Sequence, residues 1–169
     1  ERHLGELPGY DSILLEFGGN DCDFNWKEIS ERPDEEHLPN TPIEAFTEQY
    51  REMVRTVRQK GGNPILLTLP PLDAERYFNW LSAGLNPANI LKWLGDVNRI
   101  YRWHEYYNMA VCRVAAQLHA PLLDIRSAFL ERKDFRSLLC EDGIHPNEKG
   151  HALICAVLAE NLPALLSEG

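Results

Sequence analysis

A chain of 169 residues, 44% hydrophobic and 25% charged, fits one globular domain that buries roughly 70% of its unfolded surface. Its net charge of -9 argues against nucleic acid or an anionic membrane surface as the main partner. No apolar run approaches the ~18 residues of a membrane span.

The first element is the apolar run Ser12–Phe17, which ends at Gly18-Gly19 and reads as a buried strand. Residues 21–40 follow it as an irregular segment. From Asp21 to Glu48 acidic residues prevail, with Lys27 and Arg32 as the basic ones, and this reads as a solvated face. Ile43, Phe46, Tyr50, Met53, Val54 and Val57 recur at helical spacing between Ile43 and Lys60. Thr41 is expected as the N-cap of that helix and Pro42 as its first residue, with Gly61-Gly62 as its stop. Pro64–Leu69 is a second strand, ended by Pro70-Pro71.

Residues 72–95 form a second irregular segment, with Tyr77, Phe78, Trp80 and Trp93 either covering the core or lining a pocket. Asp96–His119 reads as a long helix and Pro121–Ile125 as a third strand. Asn147–Leu166 closes the chain as a helix expected to end or kink near Pro163. Strands separated by helices imply βαβ units and a parallel sheet with helices on both faces. The loops at the carboxyl ends of such strands are where open α/β sheets bind ligands.

The four cysteines are scattered without a CxxC spacing. Cys112 and Cys155 are read as buried free thiols within helices and Cys22 as a loop thiol. This usage fits a reduced, cytoplasmic protein. His145 and His151 are six residues apart and His104 and His119 fifteen, so no metal-ligand set emerges. No metal or other cofactor is expected.

Two short motifs carry chemistry. In Asp142-Gly143-Ile144-His145-Pro146-Asn147, an acid three residues before a histidine can fix one imidazole nitrogen and leave the other as a base. In Gly18-Gly19-Asn20-Asp21, an Asn on a glycine turn after a strand can donate its side-chain amide to a developing oxyanion. Each alone also reads as an ordinary turn. Both fall on the carboxyl edge of the inferred sheet.

Together, in order and spacing, they resemble the SGNH hydrolase superfamily, the GDSL esterases and lipases. Gly18-Gly19-Asn20-Asp21 is similar to that family's third block. Asp142 to Asn147 with Gly150 is similar to its fifth. The resemblance runs from about Leu4 to Leu166. It implies a flavodoxin-like three-layer α/β/α fold and hydrolysis of carboxylic esters or thioesters of small molecules. It assigns the base to His145, the orienting acid to Asp142, the oxyanion donor to Asn20 and a substrate-binding place to Gly19.

The family's Gly-Asp-Ser block and its second, glycine-bearing block are absent. Ser12 starts the first strand, roughly 16 Å from its carboxyl end at ~3.3 Å per residue, whereas a nucleophile must sit within about 3 Å of its base. Ser127, near the correct edge, reads as a helix N-cap; Ser30 and Ser82 lie in the long loops without a motif. No nucleophile is therefore expected in this chain. Glu1-Arg2-His3-Leu4 reads as the middle of a domain, so a preceding segment with two strands and the serine is expected. Without it, the run from Asp11 to Phe17 would be an exposed apolar edge open to self-association. The alternative is a non-catalytic binding module on the same fold.

Overall fold

The computed structural model describes residues 9–167; the first eight residues, including Glu1 to Leu4, lie outside them. Three strands form one parallel sheet in the order β1 (Ser12–Leu15), β2 (Asn63–Leu67), β3 (Leu122–Leu123). Ser12 pairs with Asn63 and Leu15 with Leu66, and Leu66 and Leu67 pair with Leu122 and Leu123. Two helices cross between strands, α2 (Ile43–Gln59) between β1 and β2 and α5 (Asn98–Leu118) between β2 and β3.

Strand alternation separates two cores. Leu15 and Leu66 face α2 and α5, packing with Phe46, Tyr50, Val54, Tyr107, Val111 and Val114. Ile65, Leu67, Leu123 and Ile125 face the other way, against Ile154, Val157 and Leu158 of α7 (Glu148–Ser167). The result is three layers, helices over sheet over helix. Helix α7 reaches β2 and β3, while Leu14 of β1, 42% exposed, is left open. Phe17 and Tyr10 beside it are exposed too.

The helices differ from the sequence expectation in instructive ways. Pro42 is the N-cap of α2, one residue later than expected; its carbonyl accepts from the Phe46 amide, and no side chain caps the end. Residues 21–40 are not wholly irregular, because Asn25 caps α1 (Trp26–Glu31) through the Glu28 amide. Residues 72–95 contain α3 (Ala74–Leu81), capped by Asp73, and α4 (Pro87–Leu94), capped by Asn86 with proline at its first position. Helix α7 runs through Pro163 to Ser167. The third strand keeps two of its five expected residues, since Asp124 turns the chain out of the sheet. Its carboxylate accepts from the Ser127 amide and hydroxyl in the first turn of α6 (Arg126–Leu130), whose N-cap is Ile125, so Ser127 lies inside the helix and not at its cap. Cys155 is exposed and Cys112 half-buried, not buried, because both face the flank of their helices. No described helix is long and apolar enough to cross a membrane.

Where β2 and β3 diverge, their backbone groups need new partners. Arg126, 4% exposed, supplies one: its guanidinium donates to the Leu69 carbonyl at 3.0 Å and pairs with Glu105 at 2.6 Å. Asn108 accepts from the Leu69 amide at 3.0 Å, and the Thr68 hydroxyl accepts from the Arg126 amide while donating to Asp124. One turn before Asn108, His104 is buried in the same layer. Burial and the nearby Arg126 charge lower its pKa to about 3.

That lowering has a stability consequence. Below pH 6.5 the unfolded chain protonates this ring while the folded chain does not, so stability is whole above 6.5 and falls as the pH drops toward 3. The loss from this group is about 1.4 kcal/mol per pH unit. Urea midpoints at pH 7 and pH 4.5 measure it; His104→Gln should lose less stability between the two than the wild type does.

Candidate active site

The loop between Leu139 and Asn147 is built around one carboxylate. Asp142 Oδ1 accepts from the Ile144 and His145 amides at 3.0 and 3.1 Å. Its Oδ2 lies 2.6 Å from His145 Nδ1. Partial burial works to raise the Asp142 pKa, but the bonds from the His145 ring and the two amides outweigh it and hold the carboxyl below its usual range. An ionised carboxylate only accepts, so Nδ1 carries the hydrogen and a neutral His145 has its lone pair on Nε2.

The loop is fastened at both ends. Leu139 and Pro146 form an antiparallel bridge, and the Cys140 amide donates to the His145 carbonyl at 2.8 Å. Gly143 takes φ +78°, and its carbonyl accepts from the Asp73 amide at the start of α3. Asn147 donates to the Ser137 and Leu139 carbonyls and accepts from the Lys149 and Gly150 amides, which caps α7. Gly150 is required by close approach: a Cβ there would lie 2.3 Å from the Leu138 carbonyl oxygen.

The turn after β1 is fixed as tightly. Gly18, at φ +135°, lets the chain pass over Leu69, whose Cδ1 would meet an added Cβ at 2.9 Å. Asn40 donates its side-chain amide to the Asn20 carbonyl, and the Asn40 and Thr41 amides reach the Asp23 and Asp21 carbonyls. These bonds hold the Asn20 backbone; no hydrogen bond engages its side chain among the described residues.

Asn20, Gly19 and His145 line one cavity of about 510 Å³ at the carboxyl ends of the three strands. The predicted pair of motifs is thus brought together, with Asp142 behind the histidine. Tyr77 and Trp93 line the cavity, Phe78 packs beneath them and Trp80 is 57% exposed, so the aromatic segment divides between pocket, core and surface. Sequence reading did not single out Phe24, Trp26, Arg99, Trp103, His104 and His151 as lining residues. The signal available was the i to i+4 spacing of Arg99 and Trp103 on α5; Phe24, Trp26, His104 and His151 carried none.

No serine or threonine lines the cavity among the described residues. Ser12 sits at the amino end of β1, paired with Asn63. Ser127 is bound to Asp124 at 2.5 Å, and Ser30 accepts from the Asn86 amide. Cys22 does line it, but burial first, and then the charges of Asp23 and Asp21, push its thiol up to about 12. It donates to the Gly19 carbonyl at 3.1 Å, and both its burial and its neighbours favour the protonated thiol over the thiolate.

The profile of the GDSL-like lipase/acylhydrolase family matches residues 1–153. No curated protein matches the chain. Among solved structures, a lipase/acylhydrolase from Enterococcus faecalis is similar with a TM-score of 0.66 and 18% identity, over 95% of this chain and 67% of that one. A putative acylhydrolase from Bacteroides fragilis gives 0.63 and 15%, over 96% and 69%. A catalytic mutant of an acetylxylan esterase from Geobacillus stearothermophilus gives 0.58 and 16%, over 89% and 58%. The chain therefore spans between 58% and 69% of the length of these three structures. At such identities the structures share the fold, an α/β architecture on a parallel sheet. Matched over most of its length, the chain belongs to the GDSL-like lipase/acylhydrolase family.

Proposed function

We propose that the cavity is the acyl-transfer site of an esterase that hydrolyses carboxylic esters or thioesters of small molecules. The observation that carries this reading is the 2.6 Å contact of Asp142 with His145 Nδ1, on a histidine that lines the same cavity as Asn20. Asp142 holds the tautomer and stabilises the imidazolium. His145 Nε2 takes the proton of a serine hydroxyl as the serine oxygen attacks the acyl carbon. The Asn20 amide donates to the resulting oxyanion, and Gly19 lines the place of the acyl group. Collapse expels the alcohol, which takes its proton from His145. Water, deprotonated by the same nitrogen, then releases the acid and restores the serine.

The serine is the part these 169 residues do not supply, and we propose that it comes from a preceding segment of the full-length protein. The open edge of β1, with Leu14 and Phe17 exposed, supports a further strand there. The lipase and acetylxylan esterase among the structural relatives act on unlike substrates, so they support ester hydrolysis without choosing the ester.

A fluorophosphonate probe and a short aryl ester test the nucleophile. The 169-residue chain is expected neither to be labelled nor to hydrolyse the ester, and the full-length protein to be labelled on one serine before Glu1. Stoichiometric serine labelling within the 169 residues contradicts the proposal, and an unlabelled, inactive full-length protein favours a binding module on this fold.

Asn20→Ala in the active full-length protein should lower kcat about a hundred- to a thousand-fold, on the order of 3–4 kcal/mol, with KM little changed. The substituted side chain makes no structural bond, so the melting temperature should hold. A wild-type kcat would remove Asn20 from the site.

A further inference from the structure

His104 has no role in the proton transfers above, yet it lines the cavity. It comes from α5, on the face of the sheet opposite α7, and is 7% exposed. Its Nδ1 is buried without a hydrogen-bond partner. A buried polar atom left unpaired is costly, so a ligand hydroxyl that reaches this ring at the cavity wall gains a bond the folded chain does not supply. The ring is held neutral by burial and by Arg126, so it offers one donor and one acceptor but no charge.

The walls around it are aromatic. Phe24, Trp26, Trp93 and Trp103 line the same space, with Phe24 5.0 Å from Trp93 and 5.7 Å from Trp103 between ring centroids. Two of the three indoles are engaged by the protein: Trp26 donates to Asp23 at 2.7 Å and Trp103 to the Cys22 carbonyl at 3.0 Å. What they offer a ligand is ring surface.

Charge narrows the choice. Asp21 and Asp23 also line the cavity and disfavour an anion. The Arg99 guanidinium lies 4.8 Å from the Trp93 centroid, where it fills the place of a cation and repels a second one. An alkyl chain would leave the His104 nitrogen unpaired and strip water from Asp21. A hydroxyl both donates and accepts, so it satisfies His104 in either tautomer, and Asp21 can accept from another. A ring with C–H faces and a hydroxyl edge meets aromatic surface and polar groups at once.

We infer that the aromatic-walled part of the cavity is a subsite for a neutral sugar ring, and that His104 is the specificity residue that bonds one of its hydroxyls. This rests on reading the cavity as an ester site, and it names a carbohydrate as the alcohol part of the substrate.

Binding to the full-length protein, followed by tryptophan fluorescence and calorimetry, tests the subsite without needing turnover. The probes are methyl β-glucoside, methyl β-glucuronide and cyclohexanol. The glucoside is expected to bind more tightly than cyclohexanol and about tenfold or more tighter than the anionic glucuronide. In His104→Phe the glucoside should weaken about 5- to 100-fold, with cyclohexanol unchanged and His104→Gln falling between. Cyclohexanol or the glucuronide binding as well as the glucoside would overturn the inference, as would a folded His104→Phe with wild-type glucoside affinity. The wild-type comparison decides if neither variant folds. Sugar binding without ester hydrolysis would instead count against the esterase reading.

Discussion

Parallel pairing is the constraint from which the site follows. Because β1, β2 and β3 run the same way, their carboxyl ends stop along one edge of the sheet. Backbone groups that lose strand partners there must find others. Gly18 opens the chain over Leu69, Asn108 and Arg126 take the Leu69 backbone groups, and Asp124 takes the Ser127 amide. The Asp142 loop arrives at that edge from the other side, ahead of α7. Polar groups collect where apolar packing ends, and the cavity lies among them.

The same groups often serve folding and charge placement together. Asp142 closes its own loop through two amides while it orients the His145 ring. Asp23 accepts from both the Trp26 indole and the Tyr77 hydroxyl, joining α1 to α3 across the cavity wall, and its charge helps keep the Cys22 thiol protonated. The Trp26 and Trp103 indole N–H groups are both directed at protein, which fixes these two rings at the wall of the cavity.

Much of this architecture was legible in the residues. Long helical stretches such as Ile43 to Lys60 and Asp96 to His119 showed where the helices run to within a residue or two, because burying one face of a helix demands a fixed spacing. The Asn20 and His145 motifs were legible because each sits where a strand or helix boundary makes its neighbours unambiguous. Helices α3 and α4 were not, although Asp73 and the Asn86-Pro87 pair are ordinary starts: eight residues each, crowded with aromatics, show too little period to stand out from a loop. Pro163 was read as the place where the last helix ends or kinks; near the last turns of a helix a proline removes few bonds, and α7 does not end there but continues to Ser167. His104 could not be seen at all, since a histidine on an apolar helix face looks the same whether it meets packed side chains or an empty space.

The fastening of the histidine loop is made almost entirely of main chain. The Cys140 amide meets the His145 carbonyl, the Asn147 amide and Gly150 abut Leu138, and Asn147 reaches the carbonyls of Ser137 and Leu139. Carbonyls and amides are the same whatever side chain they bear. Residues 137–140 can therefore drift in sequence without moving the imidazole, while Gly143, Asn147 and Gly150 cannot. An imidazole held in this way depends on the path of the main chain and hardly on the side chains of the segment that carries it, so the surface beside it can change while the ring stays where it is.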